Sequence, residues 1–156
     1  MITWITEMDD GHARIQLFEN EVLTGWILPP HRPADTTQTA EWAGRWFYLR
    51  ELPRRTMSFR AEHPESGLVA ELFFKLWGRS ATIKTNVGGK LLLRRPRFWS
   101  SEYSLWDGKD QVFHVDLHSC SLTFHNLELL HSIRHQLYVI LVIHSLVTFG
   151  YRTSHA

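Results

Sequence analysis

The sequence predicts a mainly β fold, with one helix in an α+β arrangement: a closed antiparallel barrel of about 10–12 strands around a hydrophobic C-terminal central helix. Three observations predict it. Short runs rich in Trp, Phe, Tyr, Val, Ile and Thr recur through the first 125 residues. Turn signals separate them at short intervals, so neighbouring strands pair antiparallel. After Asn126, a stretch without Pro or Gly runs from Leu127 to Phe149, and its second half is apolar on every side.

The elements follow in order. "ITWIT" and "ARIQLFE" flank Asp10-Gly11, a hairpin signal. "VLTGWIL" stops at Pro29-Pro30, and "HRPADTTQTA" reads as a polar loop. "WAGRWFYLRE" resumes the alternation until Leu52-Pro53. "TMSFRAE" and "LVAELFFKLW" are joined by the turn "HPESG". "ATIKT" and "KLLLRR" flank Asn86–Gly89, a second hairpin signal. "RFWSSEYSLW" ends at Asp107-Gly108, and "QVFHVDL" and "CSLTFHN" complete the strands, which together occupy residues 2–125. No linker, repeat or low-complexity tract interrupts the chain, so residues 1–156 read as a single domain.

The final segment predicts a central helix over 127–149, with Asn126 as N-cap and Gly150 as the residue just past its end. A helix apolar all round must be surrounded by lipid or by protein. The apolar part from Leu137 to Phe149 contains His144, Ser145 and Thr148 and falls short of the roughly 20 apolar residues that a bilayer needs. Enclosure inside the barrel is the expectation.

This plan resembles the tubby-like superfamily, which includes the tubby C-terminal domain, the phospholipid scramblases and the LURP-one-related proteins. The residues that carry the resemblance are "LYVILVIHSLVTFGY" and the run from Gly67 to Val115, with "WGR", "GGK" and "WDG" at its turns. The chain resembles a small bacterial-type member, and departs from the LURP-one-related pattern, whose helices usually carry acids near the end, in having no acid in the helix after Glu128. In tubby, a cationic pocket on the outer wall holds phosphoinositide headgroups, so the resemblance implies a role at anionic lipid.

Charge distribution points the same way. Between Glu71 and Glu102 there is no acid, while Lys75, Arg79, Lys84, Lys90, Arg94, Arg95 and Arg97 all fall there. If they converge, they form a positive field for anions. Lys84 and Lys90 flank a turn and are expected to face each other; Arg95 and Arg97 bracket Pro96 and are expected to share a face. The alternating pattern equally allows them to be scattered around the barrel. A pI of about 8.0 is too mild to favour nucleic acid as partner.

Catalytic signals are sparse. There is no G-x-S-x-G elbow and no phosphate loop in a strand–loop–helix setting, and Cys120 reads as a buried strand residue. Glu128, His131 and His135 stand at i, i+3 and i+7 of the expected helix, a spacing that suits a zinc-like ion. The same residues suit the polar side of a helix leaving the barrel mouth. His144 reads as a hydrogen-bonded core histidine. A single cysteine and an N-terminus without a basic start or apolar core predict no secretory signal and a cytoplasmic location, peripheral to a membrane in the lipid reading.

The expected function is thus a non-enzymatic binding module for anionic phospholipid or the membrane surface, with no cofactor. Two alternatives stay open: a ligand-binding, metal-binding or enzymatic pocket at the barrel mouth around Glu128, His131 and His135, and a protein-interaction scaffold. The sequence leaves the oligomeric state open.

Overall fold

The computed structural model describes residues 1–9, 11–30, 36–53, 57–75, 80–97 and 99–154. The strands are β1 (Ile2–Asp9), β2 (His12–Glu19), β3 (Val22–Leu28), β4 (Thr37–Trp42), β5 (Arg45–Glu51) and β6 (Ser58–His63). They continue with β7 (Leu68–Phe74), β8 (Ser80–Thr85), β9 (Lys90–Arg94), β10 (Glu102–Asp107), β11 (Asp110–Asp116) and β12 (Ser121–Phe124). Each pairs antiparallel with its successor, and β12 returns to β1, with Ile2 opposite Leu122, to close a twelve-stranded barrel. A short 3-10 turn, Leu127–His131, leads into the helix α1 (Ile133–Ser154).

Side chains alternate about the wall, as a period of two requires. In β2, Ala13, Ile15 and Leu17 are fully buried while Arg14 and Gln16 face solvent. The same alternation places Ala81 and Ile83 of β8 and Leu91 and Leu93 of β9 inside. Every residue of α1 from Gln136 to Leu146 is buried, so the helix lies within the barrel. Large rings complete the filling: Trp42, Phe47, Phe59, Tyr103 and Phe113 are almost fully enclosed.

Each mouth is fixed to the helix by an arginine. At the upper mouth, where α1 begins, Arg45 Nη1 donates to the carbonyl of His131 (3.1 Å) and to Oε1 of Gln136 (2.9 Å). At the lower mouth, Arg152 forms a two-pronged ion pair with Glu51. There Phe74 stacks on Phe149 at 4.5 Å.

Several expectations need correction. Thr37–Ala40 is strand, part of β4, because it pairs with β5 and buries Gln38 and Ala40. "WAGRWFYLRE" is two strands joined at Ala43-Gly44, both with positive φ (49° and 81°). The helix starts at Ile133: Asn126 caps the 3-10 turn, accepting from the Glu128 N–H, and extended Ser132 breaks the path. Two axes are needed, one across the mouth and one down the barrel. Gly150 lies inside α1, which runs on to Ser154. Cys120 sits in the β11–β12 turn with a φ of 51°. At 22 residues and a mean hydropathy of 1.3, α1 is long and apolar enough to cross a membrane; 67% of its most apolar window is buried in the protein.

An unpaired carboxylate cannot be accommodated in the barrel axis. Ile140→Asp or Ile143→Asp is expected to abolish cooperative unfolding in a circular-dichroism melt; a sharp transition in either variant argues against the enclosed helix. The two described glycines that lie in regular elements should respond with opposite signs. A Cβ on Gly25 would stand 2.0 Å from the Glu41 carbonyl oxygen, whereas one on Gly150 meets nothing within 4 Å. Denaturant titration should therefore show Gly25→Ala losing about 1–3 kcal/mol and Gly150→Ala gaining about 0.5–1 kcal/mol.

Candidate functional site

The outer wall of β7 to β10 is built by cross-strand register. Phe73, Thr82, Leu92 and Trp106 stand opposite one another in successive strands, forming one row across the sheet. On one side of that row, Lys84 is directly opposite Lys90; on the other, Arg94 lies between Ser80 and Ser104. All point outward, because their neighbours Ile83, Leu91, Leu93 and Leu105 point inward. The result is a mainly apolar row, half-buried at Phe73, Leu92 and Trp106 and covered at Thr82, with two cations above and one below, Lys90 and Arg94 being about 13 Å apart along β9.

The cations rest on the stripe. Lys84 Nζ is 5.8 Å from the centre of the Phe73 ring, and the Arg94 guanidinium is 5.9 Å from that of Trp106. Among the described residues, Lys84, Lys90 and Arg94 make no ion pair within 4 Å. Two acids stand at the borders of this wall: Glu71 of β7, opposite Lys84, lies 3.5 Å from Arg60, and Glu102 of β10, two residues from the Ser104 that faces Arg94, lies 3.6 Å from His114.

The other bases of the acid-free stretch go elsewhere. Lys75, Arg95 and Arg97 are in the lower-mouth loops, and Arg79 lies outside the described residues. Lys84 and Lys90 do face each other. Arg95 and Arg97 diverge, because the chain bends between β9 and β10 instead of extending. Arg95 Nε donates to the Ser100 carbonyl and its guanidinium lies over Tyr103, whereas Arg97 lies over Trp99, which is 70% exposed.

The set Glu128, His131 and His135 is not one helix face. Glu128 and His131 belong to the exposed 3-10 turn and His135 to α1, on either side of the break at Ser132. No group of three or more His, Cys, Asp or Glu among the described residues is arranged to hold a metal ion. His135 packs edge-on against Tyr138, and burial, reinforced by Arg134, lowers its pKa. It also lines a wide cleft of about 490 Å³ at the upper mouth, between Gly67, Asn86 and Ser132.

A second polar group, inside the lower mouth, is legible in sequence only through His144. Its Nε2 is 2.8 Å from Gln38 Oε1. The Gln38 amide nitrogen donates to the carbonyls of Ala13 (2.9 Å) and Leu28 (3.2 Å), so its oxygen is the atom that faces the imidazole. His144 Nε2 therefore carries the proton and Nδ1 is a bare acceptor. Complete burial holds this imidazole at about 4, against the partial opposition of Glu51. The Arg152 hydrogen bond lowers the Glu51 carboxyl, so that pair is charged at neutral pH. Gln38 gave no sequence signal, since an isolated polar residue in "TTQTA" looks like loop.

No family model, curated protein or solved structure matches the chain.

The buried imidazole makes folding sensitive to pH. Folded His144 stays neutral down to about pH 4, whereas an unfolded histidine protonates near 6.5. Between these values the unfolded chain holds the extra proton. Stability is therefore complete above about 6.5 and falls as pH drops through that window, by about 3 kcal/mol in full. Urea unfolding at pH 7 and pH 4 should show this loss, and His144→Gln should lose about 3 kcal/mol less between the two; equal losses would contradict a neutral buried His144.

Proposed function

We propose that this protein is a non-enzymatic, tubby-like module that binds anionic membrane surfaces through the outer wall of β7 to β10. The observation that carries this reading is the row Phe73–Thr82–Leu92–Trp106 bordered by three cations that have no ion-pair partner among the described residues. Aromatic and aliphatic side chains suit the boundary between headgroups and acyl chains, and Lys84, Lys90 and Arg94 suit phosphate. Near an anionic surface each cation contributes on the order of 1 kcal/mol, so three give reversible binding that salt weakens. Such lipid is abundant on the cytoplasmic leaflet, which fits a peripheral, cytoplasmic protein. The enclosed apolar helix supports the tubby-like assignment, since it is the feature shared with that plan. Membrane contact through the wall leaves α1 in place.

Flotation with liposomes of graded anionic content at two salt concentrations tests this. Binding should rise with anionic lipid and fall with salt. It should drop at least tenfold in Lys84→Glu/Lys90→Glu/Arg94→Glu, and change little in Arg97→Glu at the mouth. Binding indifferent to both salt and the triple reversal would sink the proposal; capture of single-stranded nucleic acid in preference to vesicles would assign the same wall to a different anion.

A further inference from the structure

Beside His144 lies a small chamber, of about 80 Å³, between α1 and the wall at the lower mouth. Gln38, Glu51, Phe59, His144, Thr148 and Arg152 contribute to its lining. Among the described residues, two of its polar atoms have no hydrogen-bond partner although their residues are almost wholly enclosed: His144 Nδ1 and, one turn further on, Thr148 Oγ1. Buried acceptors without donors are costly, and chambers of this kind are normally occupied by something that supplies the hydrogen. The volume suits a few waters or an organic molecule of about three to five heavy atoms.

The lining restricts the chemistry. Gln38 fixes the proton on Nε2, so the occupant must donate to Nδ1. An anion would meet this lone pair and the Glu51 carboxylate, while the Arg152 guanidinium in the lining already spends two N–H groups on Glu51. A cation would find that carboxylate already taken by Arg152. A purely apolar molecule would leave Nδ1 and Thr148 Oγ1 unpaired. Phe59, perpendicular to the imidazole at 5.7 Å, offers an apolar surface for a short carbon chain.

We propose that this chamber is a binding site for a small uncharged molecule with an O–H or N–H donor, of the primary-alcohol or primary-amide class, which donates to His144 Nδ1 and pairs with Thr148 Oγ1. Water has the same donor chemistry and fills the chamber when the organic ligand is absent. The site is internal and independent of the outer wall, so neither proposal needs the other.

Nitrogen NMR of the ¹⁵N-histidine-labelled protein at neutral pH separates the possibilities. The His144 signals should show a protonated Nε2 and an unprotonated Nδ1. Ethanol or acetamide, titrated through the millimolar range, should move Nδ1 along a saturable curve. Acetone, similar in size and without a donor, should not. Thr148→Val should weaken saturation several-fold, and Thr148→Leu should remove it by filling the space; if the leucine variant does not fold, the valine variant still decides. A protonated Nδ1, an equal response to acetone, or no saturable response to either donor, leaving water as the sole occupant, would each overturn the proposal.

Discussion

A helix without a polar face is stable in water only when something encloses it, and α1 imposes that condition on the whole chain. From Gln136 to Leu146 no side chain of α1 reaches solvent freely. Twelve strands closed on themselves are wide enough to surround one helix, while the same barrel without it would be hollow. Closure also satisfies the backbone of β1 and β12, which would otherwise be open edges. Wall and helix thus stabilise each other, and neither has an obvious fold alone. The wall answers some of the helix's polar atoms, Gln38 reaching inward to His144 Nε2 and Arg45 to Gln136, and leaves others, such as His144 Nδ1 and Thr148 Oγ1, without a partner among the described residues.

Because strand side chains alternate, packing and surface chemistry are separated by a single residue. Ile83 belongs to the core and Lys84 to the outer wall; Leu93 fills the interior and Arg94 lies over Trp106. Charges on the outside are placed by the core's register and cost it little. The row Phe73–Thr82–Leu92–Trp106 is accordingly as rigid as the barrel itself, with no loop needed to assemble it. Within the lower mouth the opposite holds: polar groups there are few, enclosed and individually constrained.

The strands were legible because nearly every inward position is apolar and most of the connections carry Gly, Asn or Pro. The enclosed helix was legible for the same kind of reason, since Leu137 to Ile143 leaves no side for water. What escaped depended on distant partners. Thr37–Ala40 has the composition of a loop and becomes strand through its pairing with β5. The break at Ser132 is unmarked by Pro or Gly and arises because the chain must cross the mouth before descending. Gly150 has the ordinary sign of a helix end, yet the helix continues to bring Arg152 to Glu51. The acid-free basic stretch was visible as composition, but only register shows that Lys84, Lys90 and Arg94 share a wall while Arg95 and Arg97 do not.

The order of elements along the chain has a further consequence. α1 follows all twelve strands, so the ribosome makes the container before its contents. Strand hairpins can form as they emerge, but their apolar inner faces have nothing to close upon until α1 has been made. Through that interval the nascent protein presents Leu, Ile and Phe side chains and unjoined strand edges, the surface that holding chaperones recognise. Completion also requires β12 to join β1 across about 120 residues of chain, a strongly non-local pairing. The feature that makes the finished barrel solid therefore makes its biogenesis its most vulnerable moment.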